Sequence, residues 1–126
     1  MEEALKFTRD HFWVRIDGRH ARIGLSDHGQ VALGEVKAVE LPEIGDAMER
    51  GEPFGELESR RTLAELCAPV SGTVTAINTD LADSPSLVND DPHHEGWLVE
   101  VDLSDPEELD ELMNPEQYEA LVGDEG

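Results

Sequence analysis

The sequence predicts a mainly β chain of many short strands folded as an antiparallel sandwich or barrel, with a pair of short helices at its C-terminal end. Three features carry this. Short apolar runs recur between turn residues such as Asp17-Gly18, Gly45-Asp46 and Ser71-Gly72. Trp97 to Leu103 alternates strictly, with Val99, Val101 and Leu103 on one side and Glu100 and Asp102 on the other. After Ser104 the period becomes helical.

The elements follow in order. Phe12 to Ile16 is a strand that turns at Asp17-Gly18 into a returning strand from His20 to Leu25. Ser26 caps a short helix that Gly34 ends. Val36 to Leu41 is extended and stops at Pro42. Pro53 to Glu58 and Thr62 to Cys67 face each other across Ser59-Arg60-Arg61. Ala68 to Gly72 is a turn-rich joint, and Thr73 to Ile77 is a strand rich in β-branched residues. Asp80 to Asn89 reads as a helical turn within a loop. Ser104-Asp105-Pro106-Glu107 has the capping-box pattern, and Asn114-Pro115-Glu116-Gln117 repeats it before Tyr118, Leu121 and Val122, with Gly123 as the stop. The expectation is one domain over residues 1–126, with a core of about 7–103 and helices at about 104–122.

Composition excludes several classes. Nine Lys and Arg stand against 30 Asp and Glu in 126 residues, a net charge of −21. Such a surface repels phosphate backbones and anionic membrane faces, so neither nucleic acid nor membrane is an expected partner. Basic protein surfaces would be steered in. One cysteine, Cys67, forms no internal disulfide. No apolar run reaches the roughly 18–20 residues of a membrane span. The acidic start, Met1-Glu2-Glu3, lacks the basic and apolar regions of a signal peptide, so a cytoplasmic protein is expected.

Other candidate sites read as structural. His93-His94 near Asp90 and Asp91 lacks a third ligand at useful spacing and is expected to be a solvated loop, with no metal. Cys67 ends an apolar strand and is expected to pack there rather than act as a nucleophile. Glu56 and Glu58 share a strand face, expected to be solvated, and Trp13, Trp97 and Phe54 are expected in the core. No catalytic residue is assigned.

Two strand–turn–strand units flank the central hairpin, residues 45–58 and 72–101, as in biotinyl and lipoyl carrier domains. Four blocks make the resemblance specific. Asp10-His11-Phe12-Trp13-Val14 is similar to D-H-E-W-V; Ile23-Gly24-Leu25-Ser26-Asp27-His28-Gly29-Gln30 leads to Leu33-Gly34-Glu35; Val39-Glu40-Leu41-Pro42-Glu43-Ile44-Gly45 is similar to V-E-L-P-E-x-G; and Asn89-Asp90-Asp91-Pro92 with Gly96-Trp97-Leu98 is similar to N-x-D-P-x-x-x-G-W-L. With Phe54-Gly55, Glu58-Ser59 and Ala68 to Gly72, the chain resembles the glycine cleavage H-protein family from about Phe7 to Tyr118.

The resemblance implies a flattened barrel-sandwich hybrid, lipoyl-domain-like, that is not itself an enzyme. It implies a lipoyl group carried on one lysine at the central hairpin tip, an arm that visits the other glycine cleavage components, and a cleft that shelters the loaded arm. The family motif is approximately E-S-V-K-A; here the run is Glu58-Ser59-Arg60-Arg61-Thr62, with Arg61 at the lysine's position. Acylation needs a neutral amine, and a guanidinium, charged and with delocalised lone pairs, does not supply one. Lys6 and Lys37, the only lysines, do not match the carrier position. No lipoate is therefore expected. Phe12 replaces the family's cleft glutamate, whereas the second cleft equivalent, His28, is retained.

A single drifted or engineered lysine would also leave an arginine, but Arg60 beside it speaks against a lone change. The expectation is an interaction or regulatory module presenting Glu58, Ser59, Arg60 and Thr62 to proteins that recognise the H fold: glycine cleavage components, a lipoate-transferring enzyme or another redox complex. The alternative is a working lipoyl shuttle. Arg60 and Arg61 either meet an acidic patch on a partner or pair with Glu58 and Glu65.

Overall fold

The computed structural model describes residues Ala4–Glu125. Nine strands form two sheets: β1 (Ala4–Phe7), β2 (Phe12–Asp17), β3 (His20–Leu25), β4 (Val36–Glu40), β5 (Ala47–Met48), β6 (Pro53–Ser59), β7 (Leu63–Cys67), β8 (Gly72–Ile77) and β9 (Val99–Leu103). The larger sheet runs β1-β2-β3-β9-β8-β5 and the smaller β4-β6-β7, with every neighbouring pair antiparallel. The helices are α1 (Asp27–Leu33), α2 (Asp80–Asp83), α3 (Leu87–Asp90) and α4 (Pro115–Glu125), with a 3₁₀ helix at Pro106–Glu111.

Strand alternation divides the interior in two. Phe12, Val14 and Ile16 of β2 turn one way and join Ile23, Leu57, Val74, Val99 and Val101 in the main core between the sheets. Trp13 turns the other way, fully buried, and forms a second cluster with Phe7 and Tyr118. Gly24 makes room for it: a Cβ there would stand 2.5 Å from the indole. The indole N–H donates to the Pro92 carbonyl at 2.8 Å, so the burial leaves no unpaired donor, a lapse worth about 1–3 kcal/mol.

Several local expectations change. Strand β1 and the two-residue β5 carry too little apolar alternation to show in the sequence. The region 80–89 holds two short helices rather than one turn. The capping box at Ser104 does not form: the Ser104 N–H that Glu107 would accept donates to the Ser71 carbonyl at 3.1 Å, and Asp105, which precedes the helix, makes no side-chain cap. The second box does form, with reciprocal bonds between Asn114 and Gln117 at 2.8 and 2.9 Å. Helix α4 continues through Gly123 to Glu125. Trp97 and Phe54 are half-buried rather than central. No helix is long and apolar enough to cross a membrane among the described residues.

Candidate functional site

The β6–β7 hairpin and the C-terminal end of α1 meet, and the candidate position lies where they touch. The hairpin turn is built by Ser59. Its backbone N–H donates to the Thr62 carbonyl at 2.9 Å, its hydroxyl donates to the same carbonyl at 3.1 Å, and the hydroxyl accepts from the Arg61 and Thr62 amides at 3.3 and 3.2 Å. Ser59 is 6% exposed. It therefore shapes the tip from inside and is not part of its partner-facing surface. Glu58, Arg60, Arg61 and Thr62 are exposed, as is Leu63.

Helix α1 begins where β3 ends because Ser26 accepts the Gly29 N–H at 3.1 Å. It ends at Gly34, whose φ of 83° lies in the region that favours glycine. Arg61 reaches this end: its Nη1 donates to the Ala32 carbonyl at 3.2 Å. The Arg60 amide donates to the Glu35 carbonyl at 2.9 Å, and its guanidinium lies 4.0 Å from the Glu35 carboxylate. Of the two readings of these arginines, an acidic patch on a partner or pairing with Glu58 and Glu65, the second is not what is seen: they contact Ala32 in the last turn of α1 and Glu35 just after it. An exposed pair such as Arg60–Glu35 adds only about 0–1 kcal/mol.

The fold brings one lysine toward the hairpin. Val36 stands opposite Ser59 and Ala38 opposite Glu58, with a register shift between them, so the exposed Lys37 occupies the irregular step beside the hairpin's end. Lys6 lies on β1 opposite Val14, in the other sheet.

The two expected cleft positions line different cavities. Phe12 is buried, with its ring 6.1 Å from Phe54, and borders a cavity of about 280 Å³ shared with His11, Ala32, Ala64 and Cys67. His28 borders a cavity of about 470 Å³ with Phe7, His93, Tyr118 and Val122. His11 joins the two regions: its ring lies 4.7 Å from that of His28, and its backbone holds φ 70°, uncommon for a side-chain-bearing residue. Cys67 is half-buried on a cavity wall rather than packed away.

His93 departs from the solvated-loop expectation. It stacks on Trp13 with ring centroids 6.0 Å apart, and its Nε2 accepts the Asp27 N–H at 3.2 Å. Burial lowers its pKa from 6.5, outweighing Asp27, which pulls the other way. His94 is the exposed member and meets Asp91 at 3.2 Å. No group of three residues that could hold a metal ion occurs among the described residues.

On the small sheet Glu40 pairs with Glu56, and Glu56 with Glu65, a row of three carboxylates across β4, β6 and β7. On the large sheet Glu100 receives His20 at 2.5 Å and two Arg22 bonds at 2.9 and 2.6 Å. Burial raises the Glu100 pKa, but these donors together hold it below its usual value.

Sequence reading missed His11 and Tyr118. Only the pairing of a rare backbone conformation with a distant tyrosine identifies them, and neither is visible in a linear pattern.

Three comparisons with known proteins each find H proteins. The family model described as glycine cleavage H-protein matches residues 5–125. The glycine cleavage system H protein of Carboxydothermus hydrogenoformans is 44% identical over 122 residues, covering 97% of this chain and 94% of the relative; that of Rubrobacter xylanophilus is 48% identical over 121 residues, covering 96% and 94%. The crystal structure of a glycine cleavage system H protein from Mycobacterium marinum superposes with a TM-score of 0.84 at 31% identity, covering 98% of this chain and 99% of that one.

Proposed function

The chain belongs to the glycine cleavage H-protein family, and we propose that it is a member released from carrying lipoate, acting as an interaction or regulatory module for proteins that recognise this fold. H proteins are carriers and not themselves catalysts. The observation that carries the proposal is Arg61 at the hairpin tip, with its guanidinium bonded to the Ala32 carbonyl.

The residues at the tip do not fit a lipoyl amide. Forming one requires an amine lone pair to attack an activated acyl carbonyl, with loss of a proton from nitrogen. The nitrogen lone pairs of a guanidinium are delocalised over its planar fork, so none is free to attack. Here it is also engaged as a donor. Glu58, Arg60, Thr62 and the 62%-exposed Leu63 remain available to a partner. The partner classes are glycine cleavage components, a lipoate-transferring enzyme or another redox complex. The net charge of −21 favours basic surfaces on them.

A second reading, a lipoyl shuttle, draws on Lys37, an exposed amine beside the hairpin's end. Co-expression with a lipoate ligase and free lipoate, followed by intact-mass measurement and peptide mapping, separates the two. The proposal expects an unmodified chain. A lipoyl group mapped to Lys37, together with glycine–bicarbonate exchange above background, would establish the shuttle instead.

A further inference from the structure

We propose that Arg61 is a clasp that caps α1 from another element and fixes the hairpin tip in one shape. This rests on the reading above: the tip that carries no arm is tied to the end of α1.

Helix α1 has Asp27 in its first turn and no basic residue in its last. Its final carbonyls therefore end in a partial negative charge with no cation from its own segment. Arg61 supplies one from the small sheet, donating Nη1 to Ala32. The path of its side chain is defined as well. A Cβ on Gly34 would lie 3.3 Å from Arg61 Nε and 3.5 and 3.7 Å from its Cδ and Cγ. The stem thus rests on the glycine that ends the helix, and a residue with a side chain there would crowd it.

The receiving turn is itself held. Asn89 donates to the Gly34 carbonyl at 2.8 Å, and its own Oδ1 accepts the Val36 N–H at 2.8 Å. From the hairpin side, the Arg60 amide donates to Glu35 at 2.9 Å. One side-chain bond and one backbone bond therefore tie the tip to a turn that α3 already braces.

Amide hydrogen exchange on the isolated full chain tests this, with no ligase or lipoate present. In Arg61→Ala and in Arg61→Met, which keeps most of the stem, the Arg60 and Gly34 amides should exchange about three- to tenfold faster, as expected for loss of one charge-assisted bond from a local opening. Ile23 and Leu57 amides in the core should be unchanged. Arg60→Ala should leave the Gly34 amide within about twofold, since Arg60 contributes through its backbone. Unchanged exchange in Arg61→Ala, protection retained in Arg61→Met, or equal acceleration of every amide would each overturn the clasp. None of these results bears on whether the chain accepts lipoate.

Discussion

The hydroxyl of Tyr118 lies 2.6 Å from Ser26 Oγ, joining the C-terminal helix to the residue that starts α1. The same hydroxyl lies 2.8 Å from His11 Nδ1, and the Tyr118 ring stacks on Phe7 at 4.3 Å and 6°. Two relays satisfy every partner, Ser26 to Tyr118 to His11 Nδ1 or His11 Nδ1–H to Tyr118 to Ser26, and in both Ser26 also accepts the Gly29 N–H. Tyr118→Phe keeps the stack and removes the hydroxyl. It should destabilise the protein by about 1–2 kcal/mol in urea unfolding. The measured slope should stay unchanged, because the buried area hardly differs.

The Glu40–Glu56–Glu65 row places like charges directly opposite on three strands. Such pairs are destabilising, and nothing in the site requires them. Glu56→Gln should therefore stabilise the protein by about 0.5–1 kcal/mol at low salt, and the gain should shrink as salt screens the row. Urea midpoints at low and high ionic strength check both statements.

His93 gives a pH dependence of defined direction. Burial holds its folded pKa below 6.5, and its Nε2 is an acceptor for Asp27, a role that protonation ends. As pH falls below 6.5 the unfolded chain binds this proton first, so stability is lost from there down to the lowered folded pKa, and levels off below it. The neutral-state contribution is fully present above 6.5. His93→Phe keeps an aromatic ring against Trp13 and cannot titrate. The difference in unfolding free energy between wild type and variant should therefore narrow, or reverse in the variant's favour, from pH 7.5 to pH 5.5. A pH-independent difference would contradict the assignment.

The architecture was legible where alternation is strong. Val99, Val101 and Leu103 are buried, whereas Glu100 is intermediate and Asp102 exposed, as the period requires. Ser26 and Gly34 also cap the helix their chemistry announces. What escaped depends on long-range contacts. His93 looks like a loop histidine until Trp13, eighty residues earlier, supplies a ring to stack on. Arg61 has acidic residues near it in sequence, but its side chain leaves the hairpin and reaches the end of α1. Lys37 is distant from the tip in sequence, yet strand pairing sets it beside Ser59. A capping box at Ser104 was readable as a pattern, but the Ser104 N–H that Glu107 would accept goes to the carbonyl of the distant Ser71.

The central claim is that this tip accepts no lipoyl group because position 61 carries an arginine. Intact-mass measurement of wild type and Arg61→Lys, each co-expressed with a lipoate ligase and free lipoate, tests it most directly. The account predicts an unmodified wild-type chain, and at least partial gain of one lipoyl group in Arg61→Lys, where the amine is restored within the same Ser59-shaped turn. A lipoyl group on the wild-type chain would contradict it.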